Sequence, residues 1–387
     1  MASIPSRLAW LDALRGPAAL AVALHHSGWA FIPDLWAEVD RRIDVGTWGV
    51  FVFFLVSGYI IPASLERRGD LRVFWIGRAF RLLPLLLVAL GLALLLGYAG
   101  ALTLHPGLST RPLPLVVLGN VTMLQELLGV PAVIGVMWTL SYEMAFYLMA
   151  AGLFSAGRAH RSAATAIVLA ISAVLLGLLL PGPVIGGRAD LVAALLGVAT
   201  VAVIVVSARA AGGTRTAAAV AGGLLGVALV VLGSRIGAWQ GLIVPAMMFA
   251  GTAVYRAEQG AIRWRTAVAA VLTVLACGVL AKDDPGWAPA LLLAAGFFAA
   301  AFALRRRSFP RWLAHLGVIS FSLYLLHPLL LGVSPNLPLF FLALVPLCYL
   351  THRLIEAPAQ RLGRRLARSS PREPEREPTG ESAQGAS

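Results

Sequence analysis

Two ionisable side chains share one face of the first apolar segment, residues 8–33. Arg15 and His26 are eleven residues apart. Because a helix turns by about 100° and rises about 1.5 Å per residue, they lie within roughly 20° of each other and about 16 Å apart along the axis. His25 points about 80° away from Arg15. Ionisable groups are costly inside a membrane and by default indicate a functional site. The spacing predicts a helix with a cation near its start and an imidazole roughly half-way across a bilayer.

A second pair of cations follows in residues 74–84, FWIGRAFRLLP. Arg78 and Arg81 are three residues apart and therefore share a helix face. Paired arginines form directional, charge-assisted bonds to phosphate, so this pair is a candidate phosphate clamp. The alternative interpretation is that both arginines only anchor the cytoplasmic end of a membrane helix.

Two more polar side chains occur inside apolar runs. Glu143 is about six residues into the run 137–156, roughly 9 Å deep by helical rise. A carboxylate at such a depth needs a partner or a proton, which favours a role in the site. His327 is in the run 314–333. A lone histidine of this kind is more often a hydrogen-bonded packing residue than a catalytic one.

The composition is that of a membrane protein. Hydrophobic residues make up 59% of the chain and charged residues 13%, with a mean hydropathy of +0.83. A soluble domain has about twice that charged fraction. Twelve apolar runs have about the length that crosses a bilayer: 8–33, 46–64, 74–99, 137–156, 162–180, 189–207, 215–233, 239–255, 265–281, 286–304, 314–333 and 336–355. They predict an all-α polytopic membrane domain over residues 1–366, with about 10–12 transmembrane helices. The weaker stretch 113–130 is expected to be re-entrant or interfacial.

Basic residues alternate between loops. The chain has 31 Lys+Arg against 18 Asp+Glu, a formal net charge of +13. Arginines concentrate in every second loop, which predicts that both termini are cytoplasmic and disfavours nucleic-acid binding. Residues 367–387 are polar and rich in Pro and Glu, so they are expected to form a disordered cytoplasmic tail. The two cysteines, Cys277 and Cys348, are interpreted as core residues without a disulfide or metal role.

Six stretches, in this order, resemble the membrane acyltransferase-3 family of bacterial O-acyltransferases. They are LDALRGPAALAVALHH, FFLVSGYII, RAFRLLP, WTLSYEMAFYL, ISFSLYLLHPLL and HRLIEAP, and the similarity extends from residue 11 to about residue 366. Each motif alone is weak, whereas six in register are specific. Arg15 and His26 match the family's essential arginine–histidine motif. Arg78 and Arg81 match its arginine pair, and Glu143 matches its glutamate.

The resemblance implies an integral membrane enzyme without a fused esterase-like domain. It would transfer an acyl group, often acetyl, from cytoplasmic acyl-CoA to a hydroxyl of a carbohydrate or glycoconjugate. Acyl-CoA would be a co-substrate, with no bound cofactor and no metal, and the enzyme would be a multi-pass protein of a bacterial cytoplasmic membrane.

The resemblance also assigns roles to residues. His26 would be the general base, with Glu143 as a second catalytic group. The donor-binding residues would be Arg15, Arg78 and Arg81. Five further side chains are expected to structure the site: Asp12, Ser57, Trp138, Ser141 and His327. Phe51, Met144 and Ala145 stand where the family often has polar residues, which leaves the acceptor open; a macrolide or another secondary metabolite is an alternative.

Two other classes of function fit some of the same residues. In a proton-coupled transporter or flippase of a glycan or lipid, His26 and Glu143 would relay protons. Such a protein would move its substrate without consuming acyl-CoA. A non-catalytic scaffold is the third class, and it leaves the shared face of Arg15 and His26 unexplained.

Overall fold

The computed structural model describes residues 9–180, 182–184 and 190–368, and these residues form helices without any strand. The first half of the chain comprises α1 (Ala9–Phe31), α2 (Pro33–Arg42), α3 (Val45–Arg68), α4 (Leu71–Tyr98), α5 (Leu113–Val121), α6 (Trp138–Ser155), α7 (Ser162–Leu179) and α8 (Asp190–Arg209). The second half comprises α9 (Gly212–Gly233), α10 (Ala238–Glu258), α11 (Trp264–Ala281), α12 (Trp287–Ala303), α13 (Arg311–Val318), α14 (Ser320–Leu331), α15 (Leu337–Thr351) and α16 (Ala357–Arg368). A π-helical turn joins α15 to α16.

The predicted all-α polytopic membrane protein is confirmed. Within the described ranges, eight helical segments are long and apolar enough to cross a membrane: Val45–Arg68, Leu71–Tyr98, Ala159–Leu179, Asp190–Arg209, Gly212–Gly233, Ala238–Glu258, Trp264–Ala281 and Leu337–Arg368. The pair α13 and α14, bent by 64°, would make a ninth span. The other predicted apolar runs form α1, α6 and the 17-residue α12.

Two predicted segments differ from regular spans. The stretch 113–130 begins with α5, whose nine residues rise only about 14 Å, too little to cross a bilayer. The side chains of Asn120, Gln125 and Glu126 in this stretch are buried against the bundle. Of the tail expected at 367–387, only the first two residues are described, and they end α16; the rest lies outside the described residues.

A tight turn connects α3 to α4 and brings their basic ends together. Gly69 ends α3 with φ of 65°, a left-handed conformation that glycine adopts without a steric cost. Asp70 then caps α4, and its carboxylate accepts hydrogen bonds from the backbone N–H groups of Arg72 at 2.6 Å and Val73 at 3.3 Å. The turn therefore folds Arg68, the last residue of α3, back towards the first turns of α4.

Small residues allow the central helices to approach closely. α1 packs against α3, α13 and α14, and α10 packs against α3 and α7. At the α3–α10 contact, a Cβ atom on Gly58 would overlap the backbone carbonyl of Met248. The hydroxyl of Thr252 donates a 2.7 Å hydrogen bond to the Gly58 carbonyl across the same contact. Such contacts between small residues are typical of helix packing in membranes, where no hydrophobic effect drives helices together.

Gly58→Ala should therefore destabilise the bundle. A methyl group at this position must separate α3 from α10, an overpacking that costs about 1–3 kcal/mol. We expect a lower midpoint of thermal unfolding for the variant in detergent, measured by tryptophan fluorescence. Gly91→Ala in α4 is the matched control because a Cβ there meets no atom within 4 Å. Equal midpoints for the two variants would contradict the tight α3–α10 contact.

Candidate active site

Five helices surround a cavity of about 110 Å³, which we call the central cavity. All three predicted donor-binding arginines line it, with Arg15 supplied by α1 and Arg78 and Arg81 by α4. Glu143 of α6 and Ser57 of α3 are also part of the wall. Residues that the chain separates by more than 120 positions therefore converge at one place.

Glu143 belongs to the arginine side of this cavity. Its Oε1 atom accepts hydrogen bonds from the hydroxyl of Ser57 at 3.3 Å and from the phenol of Tyr147 at 2.6 Å. The Arg78 guanidinium lies 5.6 Å from the centre of the Tyr147 ring. Tyr147 is not among the predicted site residues, although its position four residues after Glu143 places both on one helix face.

Asp12 lies beside the arginines at the start of α1. One of its oxygens is 3.9 Å from a guanidinium nitrogen of Arg15. Arg81 is close enough to interact electrostatically with both Asp12 and Arg15. Asp12 thus offsets part of the positive charge that two arginines bring to this end of the central cavity.

His26 contacts a second histidine, His327 of α14. The two rings are 5.0 Å apart, and Nε2 of His327 is 3.3 Å from Nδ1 of His26. Each Nδ1 also faces the carbonyl oxygen four residues earlier, that of Val22 at 2.9 Å and that of Leu323 at 3.0 Å. A carbonyl oxygen only accepts, so in the neutral form of each ring this bonding pattern assigns the proton to Nδ1. The Nε2 lone pair of His26 is then free to accept a proton.

The two histidines lie beyond one end of the central cavity. Tyr324 lines the cavity, and its ring is 6.2 Å from that of His327, one turn further along α14. The Tyr324 hydroxyl is held by the Thr139 hydroxyl at 2.7 Å and the Val136 carbonyl at 2.6 Å. Tyr324 therefore stands at the boundary between the arginine-lined cavity and the histidine pair.

Arg15 lines the central cavity together with residues of α14, and His26 contacts His327 of the same helix, so the two side chains lie on one face of α1 as predicted. It also separates two predicted catalytic groups. The hydrogen bonds of Glu143 go to Ser57 and Tyr147, while those of His26 go to Val22 and His327. His26 is five residues, about 8 Å, from the C-terminal end of α1, nearer to that end than to the middle of the helix.

Two of the residues expected to structure the site support it from outside the cavity wall. Ser141 is fully buried, and its hydroxyl accepts a 3.3 Å hydrogen bond from the backbone N–H of Glu126. The Trp138 ring packs against those of Phe54 and Tyr142, with centres 6.4 and 5.9 Å apart. Ser141 thus holds the irregular 122–130 segment against α6, and Trp138 packs α6 against α3.

His25 points away from the cavity towards the α1–α3 connection. Its Nδ1 lies 3.4 Å from a carboxylate oxygen of Asp40 and 3.7 Å from one of Asp44. These three side chains each offer one possible metal ligand, and the three ligand atoms lie within 4.8 Å of one another. Among the described residues, they are the group that could hold a metal ion. Asp44 also caps α3 by accepting a hydrogen bond from the Thr47 N–H at 2.7 Å.

Fold and site together define a polytopic helical membrane protein with an arginine-lined cavity beside a pair of contacting histidines. A family model described as an acyltransferase domain, Acyl_transf_3, matches residues 8–353. The chain therefore belongs to the acyltransferase-3 family, as the resemblance of its motifs predicted. Neither the curated proteins nor the solved structures include a significant match.

Asp40 lies in α2, outside the membrane-spanning helices, among other carboxylates. Its burial and the neighbouring Asp44 and Asp284 raise its pKa to about 6, although Lys282 opposes the shift. In an unfolded chain an aspartate has a pKa of about 3.9. The folded state therefore favours the protonated carboxyl of Asp40. Its contribution to the free energy of unfolding is fully present below about pH 4 and is lost as the pH rises through about 6.

Asp40→Asn should therefore raise the unfolding midpoint at pH 8, by about 1–3 °C, and leave it unchanged at pH 4. Thermal unfolding in buffer with a chelator measures this. The control is Glu38→Gln in the same helix, because Arg41 and Arg42 lower the pKa of Glu38, so its neutralisation should not stabilise the protein. A gain for Asp40→Asn that does not depend on pH would contradict the carboxylate repulsion.

Proposed function

We propose that this protein is an acyl-CoA-dependent O-acyltransferase of a bacterial cytoplasmic membrane. It would transfer an acyl group, in the simplest case acetyl, to a hydroxyl of a carbohydrate or glycoconjugate. The observation that carries the proposal is the combination of an arginine-lined cavity with a histidine whose Nε2 is free to accept a proton. Membership of the acyltransferase-3 family supports the reaction class.

The arginines suit the donor. Coenzyme A carries several phosphate charges, and Arg15, Arg78 and Arg81 offer guanidinium groups that bind phosphate with directional hydrogen bonds. Arginine-rich loops are typical of the cytoplasmic side of a membrane protein, which is where acyl-CoA is made available. The uncharged pantetheine arm would then extend along the central cavity towards Tyr324 and the histidines.

His26 would act as the general base. As the acceptor oxygen attacks the thioester carbonyl, its proton passes to the Nε2 atom of His26. The new C–O bond forms and the C–S bond breaks, releasing the thiolate of coenzyme A. The thiolate takes the proton from the imidazolium, which yields the ester, free coenzyme A and neutral His26. A transient acyl-histidine is the variant mechanism.

Glu143 would serve the donor end in this proposal. Its bonds from Ser57 and Tyr147, together with the position of Arg78 over the Tyr147 ring, hold Arg78 in place. A negative charge there also lowers the cost of concentrating three arginines in a low-dielectric cavity. We therefore expect Glu143 to affect donor binding more than proton transfer.

His26→Ala should abolish acyl transfer while the protein still inserts into membranes. Removing the base typically costs about 10²–10⁴-fold in rate. The measurement is release of free coenzyme A by purified protein, together with mass spectra of glycans and lipids from cells that carry each variant or a deletion. His160→Gln is the control, because this histidine is exposed in the short turn before α7. Wild-type turnover in His26→Ala would refute the proposed base.

Transport of a glycan or lipid by the wild type without release of coenzyme A would favour the flippase.

The double variant Arg78→Gln/Arg81→Gln should raise the KM for acyl-CoA by about 10²–10⁴-fold, since each of the two lost bonds to a charged group contributes about 1.5–3 kcal/mol. The kcat at saturating donor should change less. Arg263→Gln/Arg265→Gln is the matched control, because these arginines are exposed at the start of α11. Loss of the Arg78/Arg81 variant from membranes, with normal kinetics in the remainder, would instead support the anchoring interpretation.

A further inference from the structure

A second cavity of about 140 Å³ adjoins the arginine end of the central cavity. It lies between the end of α3, the first half of α4, and α16. We call it the arginine vestibule and define it by five of its lining residues: Arg68, Arg78, Arg81, Gln360 and Arg364. Arg78 and Arg81 line both cavities. A ligand that contacts these two arginines could therefore occupy both spaces at once.

Four arginines line the vestibule from its exposed opening to its half-buried inner end. Arg68 and Arg364 are exposed at its rim, whereas Arg78 and Arg81 are half-buried deeper in. Arg68 experiences electrostatic repulsion from Arg78 and Arg364. In the part of the chain that the structure describes, none of these four arginines forms an ion pair with a carboxylate. The Nε atom of Arg78 is buried and has no hydrogen-bond partner among the described residues.

Close packing on α4 brings these arginines together. A Cβ atom on Gly363 would lie 2.6 Å from the Cβ of Phe80, so glycine lets α16 pack directly on α4. This packing brings Arg364, the next residue, over the vestibule. A Cβ on Gly77 would lie 3.4 Å from a guanidinium nitrogen of Arg68, so the guanidinium rests on the surface of α4. Arginines that only anchored helix ends on a membrane would not need to converge on one cavity.

We propose that the arginine vestibule binds the phosphorylated nucleotide end of the donor, with Arg68 and Arg364 contacting its 3′-phosphate. This inference rests on the proposed function, which supplies the donor. The adenosine portion of coenzyme A carries a phosphomonoester in addition to its diphosphate, and a guanidinium binds each phosphate through charge-assisted hydrogen bonds. The diphosphate would then contact Arg78 and Arg81 at the junction of the two cavities, with the pantetheine arm in the central cavity.

The test compares two donors that differ by one phosphate. Binding of acetyl-CoA and of 3′-dephospho-acetyl-CoA to purified protein in detergent is measured by titration calorimetry. We expect wild-type protein to bind acetyl-CoA about tenfold more tightly, the equivalent of one charge-assisted contact. Arg68→Gln/Arg364→Gln should bind both donors equally, with the affinity that the wild type has for the dephospho compound.

A matched control keeps the charge change constant. Arg67→Gln/Arg365→Gln removes one arginine from each of the same two helices, at positions that do not line the vestibule, and should retain the tenfold preference. If the wild type binds the two donors equally, the 3′-phosphate site is refuted while the proposed reaction stands. If the wild type binds neither donor, the proposed acyl-CoA donor itself fails.

A lipid headgroup carries the same phosphate chemistry, so a second arm separates the two sources. Thermal unfolding of wild-type and Arg68→Gln/Arg364→Gln protein is measured with phosphatidylglycerol added to the detergent. We expect equal stabilisation of both proteins by the lipid. Loss of this stabilisation in the double variant, with the donor preference unchanged, would show that the vestibule is a lipid site and would overturn the inference.

Discussion

The cost of burying charge in an apolar bundle is the constraint on which this structure depends. An arginine or glutamate alone inside a membrane helix is unfavourable, so such side chains face the bundle interior and meet partners there. Arg15, Arg78 and Glu143 come from three different helices and line one cavity, where the Glu143 carboxylate interacts favourably with Arg15. α1, α4 and α6 must therefore converge at this one place. The close contacts between small residues, such as that between α3 and α10 at Gly58, hold the surrounding helices near enough for the convergence to occur.

The histidine pair differs from the arginines in its partners, which are backbone carbonyls and not carboxylates. A carboxylate that contacts the imidazole of a base stabilises the imidazolium. Here the Nδ1 atoms of His26 and His327 instead face backbone carbonyls of their own helices, and no carboxylate is among the hydrogen-bond partners of either ring in the described part of the chain. Backbone carbonyls orient the rings and define their tautomer without adding a charge. In the neutral form of the ring, Nε2 of His26 is then the atom that can accept a proton, as a general base would require.

The sequence predicted helices and faces well, and contacts between distant segments poorly. The shared face of Arg15 and His26 follows from helical periodicity, which is a local property. The partner of His26 does not, because His327 is 301 residues away and a histidine before a proline has no pattern that distinguishes a partner from a packing residue. Tyr147 could have been found from its spacing to Glu143. Arg68 and Arg364 could not, because an arginine that lines a cavity and one that anchors a helix end look alike in an arginine-rich loop.

The distance between the two chemical ends of the site restricts what kind of donor it suits. Arg15 and His26 are separated by about three helical turns, and the intervening cavity wall is largely apolar, with Phe53, Phe54 and Ile60 among its residues. A compact, highly charged donor would bind the arginines but leave its reactive atom far from the imidazole. A donor with its charges at one end and its reactive carbon at the tip of a long uncharged arm meets both requirements. Under the proposed function, the separation of arginines from histidines is therefore what matches this bundle to a thioester on a pantetheine arm.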